Sequence, residues 1–242
     1  MPITALGKWL WKIRQQYRVR EKVMNALRRW RSLSSRKALV EEYLRANSCA
    51  RLQVGCGKNI LDGWMNTDLV VNGNIIYLDA TKPLPFGDNT LDYIFSEHIF
   101  EHISYADGHA FIKECHRVLK PGGRIRIATP DMVFLIQLYQ NPASSIYPDY
   151  IKFAVDTFVT EPRFYSPGVV VNNFFYSWGH RFIYDFETLG HTLATAGFIN
   201  IVRCKPGESD DPKLANLEQH GKIIGDRFNL LESIVVEAAK SA

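Results

Sequence analysis

Two histidines and two acids fall within seven residues at Ser96-Glu97-His98-Ile99-Phe100-Glu101-His102. Side chains of these types take protons, hold metal ions or pair with charges. His98 and His102 are four apart, so a helical turn would place them on one face. A metal pair of this spacing normally needs a third ligand, and the sequence offers no obvious one. No metal is therefore expected. His98 lies nearer the end of an apolar strand and is the better proton acceptor. His102 reads as a packing or hydrogen-bonding residue. Farther along, His180 is a second candidate base, in an aromatic stretch over residues 172–181. Arg181 beside it suits an anionic acceptor group such as phosphate, although anchoring by a carboxylate is an equal alternative. Tyr184 is a further candidate substrate contact.

A second constellation lies upstream. Leu52-Gln53-Val54 runs into Gly55-Cys56-Gly57, and Asp68 follows eleven residues after Gly57. An apolar strand entering a glycine turn, with an acid ending the next strand, builds a nucleotide crevice at the carboxyl ends of an open α/β sheet. Glycines let a ligand lie against bare main chain. The acid can accept two hydrogen bonds from ribose hydroxyls. A dinucleotide fingerprint fails here. Its third glycine is replaced by Ile60, and its acid belongs about 20 residues on.

With Asp79-Ala80, Phe95-Ser96-Glu97-His98 and Leu119-Lys120-Pro121-Gly122-Gly123, this stretch resembles the class I S-adenosylmethionine-dependent methyltransferases. Within them it is most similar to the type 11 group that accompanies bacterial polysaccharide biosynthesis. The resemblance implies an α/β fold with a doubly wound, seven-stranded, mostly parallel sheet, its last strand antiparallel between strands five and six. It implies S-adenosylmethionine as cofactor, bound by Gly55, Gly57, Asp68, Asp79 and Ala80 with Ser96 and Glu97 beside them. It implies a glycan or other small-molecule acceptor, methylated on a hydroxyl. A lipid- or quinone-like acceptor, or a scaffold that lost turnover, are the alternatives. Gln53 and Lys58 depart from the family pattern, in place of an acid and a third glycine.

The elements that must position these groups follow from periodicity. Strands are predicted at residues 51–54, 65–68, 74–78, 93–96, 124–128, 198–202 and 233–237, and helices at 105–119, 132–139 and 186–196. Asp131 sits on the ligand side of the sheet as a substrate contact, with capping of the helix after it as the competing role. Residues 141–186 hold thirteen aromatics in 46 positions. Such faces suit sugar rings or flat apolar groups at low side-chain entropy cost, and the segment reads as an inserted acceptor lid on a methyltransferase domain spanning 48–242.

Residues 1–47 read as a helical arm, as one helix to about residue 31 and a second at 36–47. Residues 1–37 carry eleven Lys/Arg and one acid, and the rest of the chain is acidic. Leu6, Trp9, Leu10, Ile13, Tyr17, Val23, Leu27 and Trp30 recur at helical spacing. Basic and aromatic faces of this kind suit a helix at an anionic membrane surface, packing on the body or a homodimer contact. Nucleic acid is disfavoured, because no recognition motif is present. No apolar run reaches the roughly 18 residues of a membrane span. Four cysteines without metal or C-x-x-C spacing read as reduced thiols. The expected location is cytoplasmic, with the arm at the inner membrane face.

Overall fold

Asp92 ties the start of the sheet together. Its main-chain N–H donates to the Ala50 carbonyl at 2.8 Å, and its carboxylate accepts from the Ala50 N–H and the Lys120 ammonium, both at 2.7 Å. The computed structural model describes residues 5–144, 146–161 and 164–242, and for residues 5–22 the helical backbone alone. The arm's stripe from Leu6 to Tyr17 therefore lies outside the described side chains.

In chain order the elements are α1 (Ala5–Ala46), β1 (Arg51–Val54), β2 (Met65–Asp68), β3 (Ile76–Tyr77) and β4 (Leu91–Glu97). After a 3-10 turn (Phe100–His102) come α2 (Tyr105–Val118), β5 (Leu119–Pro130), α3 (Met132–Gln140), α4 (Tyr147–Phe158) and α5 (Pro167–Tyr176). The chain continues with α6 (Phe186–Thr195), β6 (Phe198–Cys204), α7 (Gly221–Ile224), α8 (Asp226–Glu232) and β7 (Ser233–Lys240). The seven strands lie in the order β3-β2-β1-β4-β5-β7-β6, and only β7 runs antiparallel. The order reverses between β1 and β4, so a crevice opens at their carboxyl ends. Leu52, Ile94, Ile125, Ile127 and Val236 are fully buried at the centre, as expected of parallel strands covered on both faces.

The arm corrects one expectation. It is a single continuous helix, not two. Ser34 and Ser35 satisfy their hydroxyls on the Arg31 carbonyl at 2.8 and 2.9 Å instead of breaking the helix. Ser32 accepts the Tyr77 N–H at 2.8 Å, which docks α1 on the edge strand β3. Before that contact, Val23, Met24, Leu27 and Trp30 are exposed.

The aromatic insertion is a second core. Tyr150, Ile151, Val155, Val170 and Phe174 pack with Phe134 and Leu138 of α3 and Phe228 of α8. The connection after β6 is clamped to the sheet by Arg126, which is fully buried. Its Nε meets Glu218 at 2.5 Å, its Nη1 donates to the Glu208 carbonyl at 2.9 Å, and Glu237 forms the third contact.

Candidate active site

The glycine turn follows β1. Gly55 and Gly57 have φ of 70° and 52°, a left-handed region that favours glycine. A Cβ on Gly55 would stand 2.1 Å from Ile99 Cγ1, whereas one on Gly57 would meet nothing within 4 Å. Gly55 is thus needed by packing, and Gly57 faces open space. Asp68, at the end of β2, accepts the Gly57 N–H at 2.9 Å on one oxygen and the Val70 N–H at 2.8 Å on the other. Each oxygen keeps a lone pair. A cavity of about 700 Å³ opens here, lined by Gln53, Gly55, Gly57, Asn59, Glu97 and His98, among others. The buried Gln53 Oε1 has no partner. A bare glycine main chain and an orphaned amide oxygen on the wall fit a nucleoside cofactor, with the Asp68 carboxylate joined to that wall through the Gly57 N–H although it does not itself line the cavity. Burial, with Asp68 nearby, pushes the Cys56 thiol up to about 11, so it is no nucleophile.

The other predicted cofactor contacts are placed unevenly. Asp79 turns one oxygen onto the Thr81 N–H and hydroxyl at 3.0 and 2.7 Å. Burial works to raise its pKa, but those bonds and the charges of Lys82 and Arg29 hold it below the usual range. Of the predicted cofactor contacts, Gly55, Gly57 and Glu97 line the cavity, and Asp68, Asp79, Ala80 and Ser96 do not. Ser96 is buried with an unpartnered hydroxyl. Glu97 lines the cavity, and main chain anchors its carboxylate. It accepts from the Gln219 N–H at 2.9 and 3.0 Å and from the His220 N–H at 2.9 Å. β4 thus uses it to hold the distant connection over the crevice, and Oε2, with a single donor, keeps a lone pair at the cavity it lines.

His98 stands at the junction of two cavities. Beyond it lies one of about 300 Å³ whose walls include Tyr150, Phe158, Phe174, Trp178 and His180. His98, His220 and Ile223 line both. His98 is held at φ 49°, a conformation that costs a non-glycine residue about 1–3 kcal/mol and recurs at functional sites. Its Nδ1 lies 3.2 Å from Glu101 Oε1, and its Nε2 lies 3.3 Å from Ser233 Oγ. Burial pulls the imidazole pKa down, but the bond to Glu101 and the charges of Glu101, Glu232 and Glu97 raise it overall. Glu101 is wholly buried. Burial raises its pKa, but His98 outweighs that and holds it below the usual range. Thr129 Oγ1 donates to its second oxygen at 3.0 Å.

Sequence reasoning missed His220, Glu232 and Tyr150. His220 Nε2 is 2.7 Å from Glu232 Oε1, and Tyr150 donates to the other Glu232 oxygen. His220 sits in a polar connection with no pattern to mark it. His180 does join His98 in one cavity. Its Nδ1 donates to the Phe174 carbonyl at 2.7 Å, and burial lowers its pKa.

Two predicted substrate contacts are corrected. Asp131 is 3% exposed and fully engaged. It caps α3 through the Val133 N–H at 2.9 Å and pairs with Arg203 at 2.8 Å. Tyr184 is wholly buried against Phe100, in the main core. Arg181 lines a separate cavity with Phe175 and Asp185, and among the described residues forms no ion pair.

The reversed sheet order, the antiparallel seventh strand, the glycine turn and the acid ending β2 together define the fold of the class I methyltransferases. Residues 65–127 match the family model of the methyltransferase domain. Malonyl-[acyl-carrier protein] O-methyltransferase 1 of Coxiella burnetii is 33% identical over 112 residues, covering 44% of this chain and 39% of that relative. The chain thus spans well under half the length of the curated relative it matches. Among solved structures, a SAM-dependent methyltransferase from Archaeoglobus fulgidus is 18% identical, covering 84% of this chain and 94% of the other at a TM-score of 0.46. Haemonchus contortus phosphoethanolamine N-methyltransferase 2, in complex with S-adenosyl-L-methionine, is 16% identical, covering 80% and 49% at 0.44.

Proposed function

We propose that the protein is an S-adenosylmethionine-dependent methyltransferase acting on a hydroxyl of a small acceptor. The observation that carries this reading is the shared wall of His98. It separates a glycine-turn cavity suited to the cofactor from an aromatic cavity suited to the acceptor. The cofactor supplies an activated methyl group on sulfur. This chain's residues align the acceptor and exclude water. Gly57 offers open main chain, and Asp68 grips the ribose hydroxyls with its remaining lone pairs. Glu101 holds the Nδ1–H of His98, and Nε2 takes the acceptor's proton once the acceptor replaces its 3.3 Å contact with Ser233 Oγ.

A cavity of about 300 Å³ is at the small end for ligand sites and takes a single ring. The favoured acceptor is a surface-glycan precursor. The apolar walls at Phe158, Phe174 and Ile224 support a flat lipid- or quinone-like ring as the second reading. The exposed ridge of Val23, Met24, Leu27 and Trp30 beside Arg28 and Arg31 supports docking on an anionic membrane face.

Calorimetry with S-adenosylmethionine, followed by release of the demethylated cofactor across a panel of sugar nucleotides, glycolipids and quinols, tests the reading. Saturable cofactor binding with turnover on one class supports it. No cofactor binding would leave a scaffold that only kept the fold.

A further inference from the structure

The geometry points to a divalent transition-metal site formed by Glu101, His102 and His180 in the aromatic cavity. One ligand atom from each of the three lies within 4.8 Å of the others. Local spacing joins only the first two of these, because His180 arrives from the far end of the insertion. Main chain fixes it there. The Arg181 and Phe182 N–H groups both donate to the Glu101 carbonyl, at 2.7 and 3.2 Å.

Each ligand has the right free atom. The Phe174 carbonyl can only accept, so His180 Nδ1 carries its proton and Nε2 keeps its lone pair. The rings of His102 and His180 meet edge to face with centroids 4.9 Å apart, an arrangement in which both nitrogens can converge on one ion. Glu101 Oε1 lies 3.9 Å from His102 Nε2. Bonds of about 2.0–2.2 Å in a tetrahedral site put ligand atoms about 3.4 Å apart, so a small closure suffices. Oε1 has two lone pairs, one for His98 Nδ1 and one for the ion. Thr129 orients the carboxylate from behind. Two imidazoles and one carboxylate, with the remaining position open to a cavity, suit zinc or a neighbouring first-row ion.

A second group, His98, His220 and Glu232, is also close enough to be considered. Its rings stack at 3.8 Å with 34° between planes, which turns the nitrogens poorly toward a common centre. Glu232 is already paired with His220 and Tyr150.

The site's part in catalysis rests on the proposed methyl transfer; its existence does not. An acceptor hydroxyl bound at the open position loses its proton more readily. The proton passes to His98 Nε2, the oxygen bonds to the methyl carbon, and the carbon–sulfur bond breaks with its electron pair going to sulfur.

The test is cobalt(II) titration of the chelator-treated full chain, read as visible absorption of the coordinated ion, with zinc competition. We expect one equivalent bound. His102→Ala, His180→Ala and the near-isosteric His180→Gln should each weaken binding at least about tenfold. The exposed His191→Ala and the neighbouring His220→Ala should leave it intact. No coordinated cobalt in the wild type overturns the site. Loss in His220→Ala with retention in His180→Ala also overturns it, by moving the ion to the other group. Cofactor calorimetry on the same preparations reports separately on the methyltransferase reading.

Discussion

The imidazoles of His98 and His220 lie with ring centroids 3.8 Å apart and 34° between their planes. One follows the end of β4, and the other sits in the connection that Glu97 pulls over the crevice. Together with Ile223, the two rings line both the glycine-turn cavity and the aromatic cavity. Any group passing from one to the other moves past them.

The first consequence concerns the cofactor. Asp68→Ala removes both lone-pair sites for the ribose and also frees the Gly57 and Val70 N–H groups. Affinity for S-adenosylmethionine should fall by about 1–3 kcal/mol, measured by calorimetry. Unchanged affinity would show that the ribose lies elsewhere.

His98→Gln should lower kcat by about 10²–10⁴-fold while cofactor affinity stays near that of the wild type. Steady-state rates set beside calorimetry separate the two. A variant with full turnover would remove His98 from the proton path.

The His98–Glu101 pair sets opposite pH trends for activity and stability. The folded pKa of His98 is raised from 6.5. Its contribution to stability is therefore fully present below the unfolded pKa and is lost as pH rises through the folded one. Glu101 is lowered from 4.5, so its contribution holds above the unfolded value and is lost as pH falls through the folded one. Base catalysis needs neutral His98, so kcat should rise with pH over the range in which the pair's stabilisation fades. Urea midpoints and kcat measured across pH check this. In Glu101→Gln the activity midpoint should move to lower pH.

Arg126→Met leaves Glu218 and Glu237 in the interior without their main counter-charge, and Arg124 retains only one contact to Glu237, at 2.7 Å. Breaking a buried pair in this way costs about 3–5 kcal/mol. Urea denaturation should show that loss, and proteolysis should cut first between residues 205 and 220. An unchanged midpoint would mean the connection is held by its apolar contacts alone.

The arm should float with anionic vesicles in the full chain and fail to do so when residues 1–31 are removed. The cut also removes Arg29, which lies 4.3 Å over the Tyr77 ring, so a full-length variant carrying Val23→Ser, Leu27→Ser and Trp30→Ser should lose flotation as well. Equal recovery with and without the segment would end the membrane reading and favour a contact with a second copy.

Much of this protein was readable from local pattern. Strand–glycine–acid spacing located the glycine turn, because the main chain there has positive φ at Gly55 and Gly57. Apolar runs bounded by turns located the strands, and Asp131 caps the helix after it as the competing reading had it. Where partners are distant, local pattern was mute or misleading. Arg126 alternates with isoleucines as a solvent-facing residue should, yet it is fully buried because the connection after β6 lies over it. Tyr184 looked like a substrate contact and is core. The arm read as two helices, to about residue 31 and from 36 to 47, and is one.

The sequence by itself marked the strands, the glycine turn and the acid ending β2, since each of these depends on neighbours within one turn or one strand, and the order of the strands was what the family resemblance implied. Only the tertiary structure decided which histidines and carboxylates share a cavity. Those contacts close loops of many tens of residues, and their partners carry no local signature. What brings them together is the packing of the insertion and of the last connection onto the ends of β4 and β5.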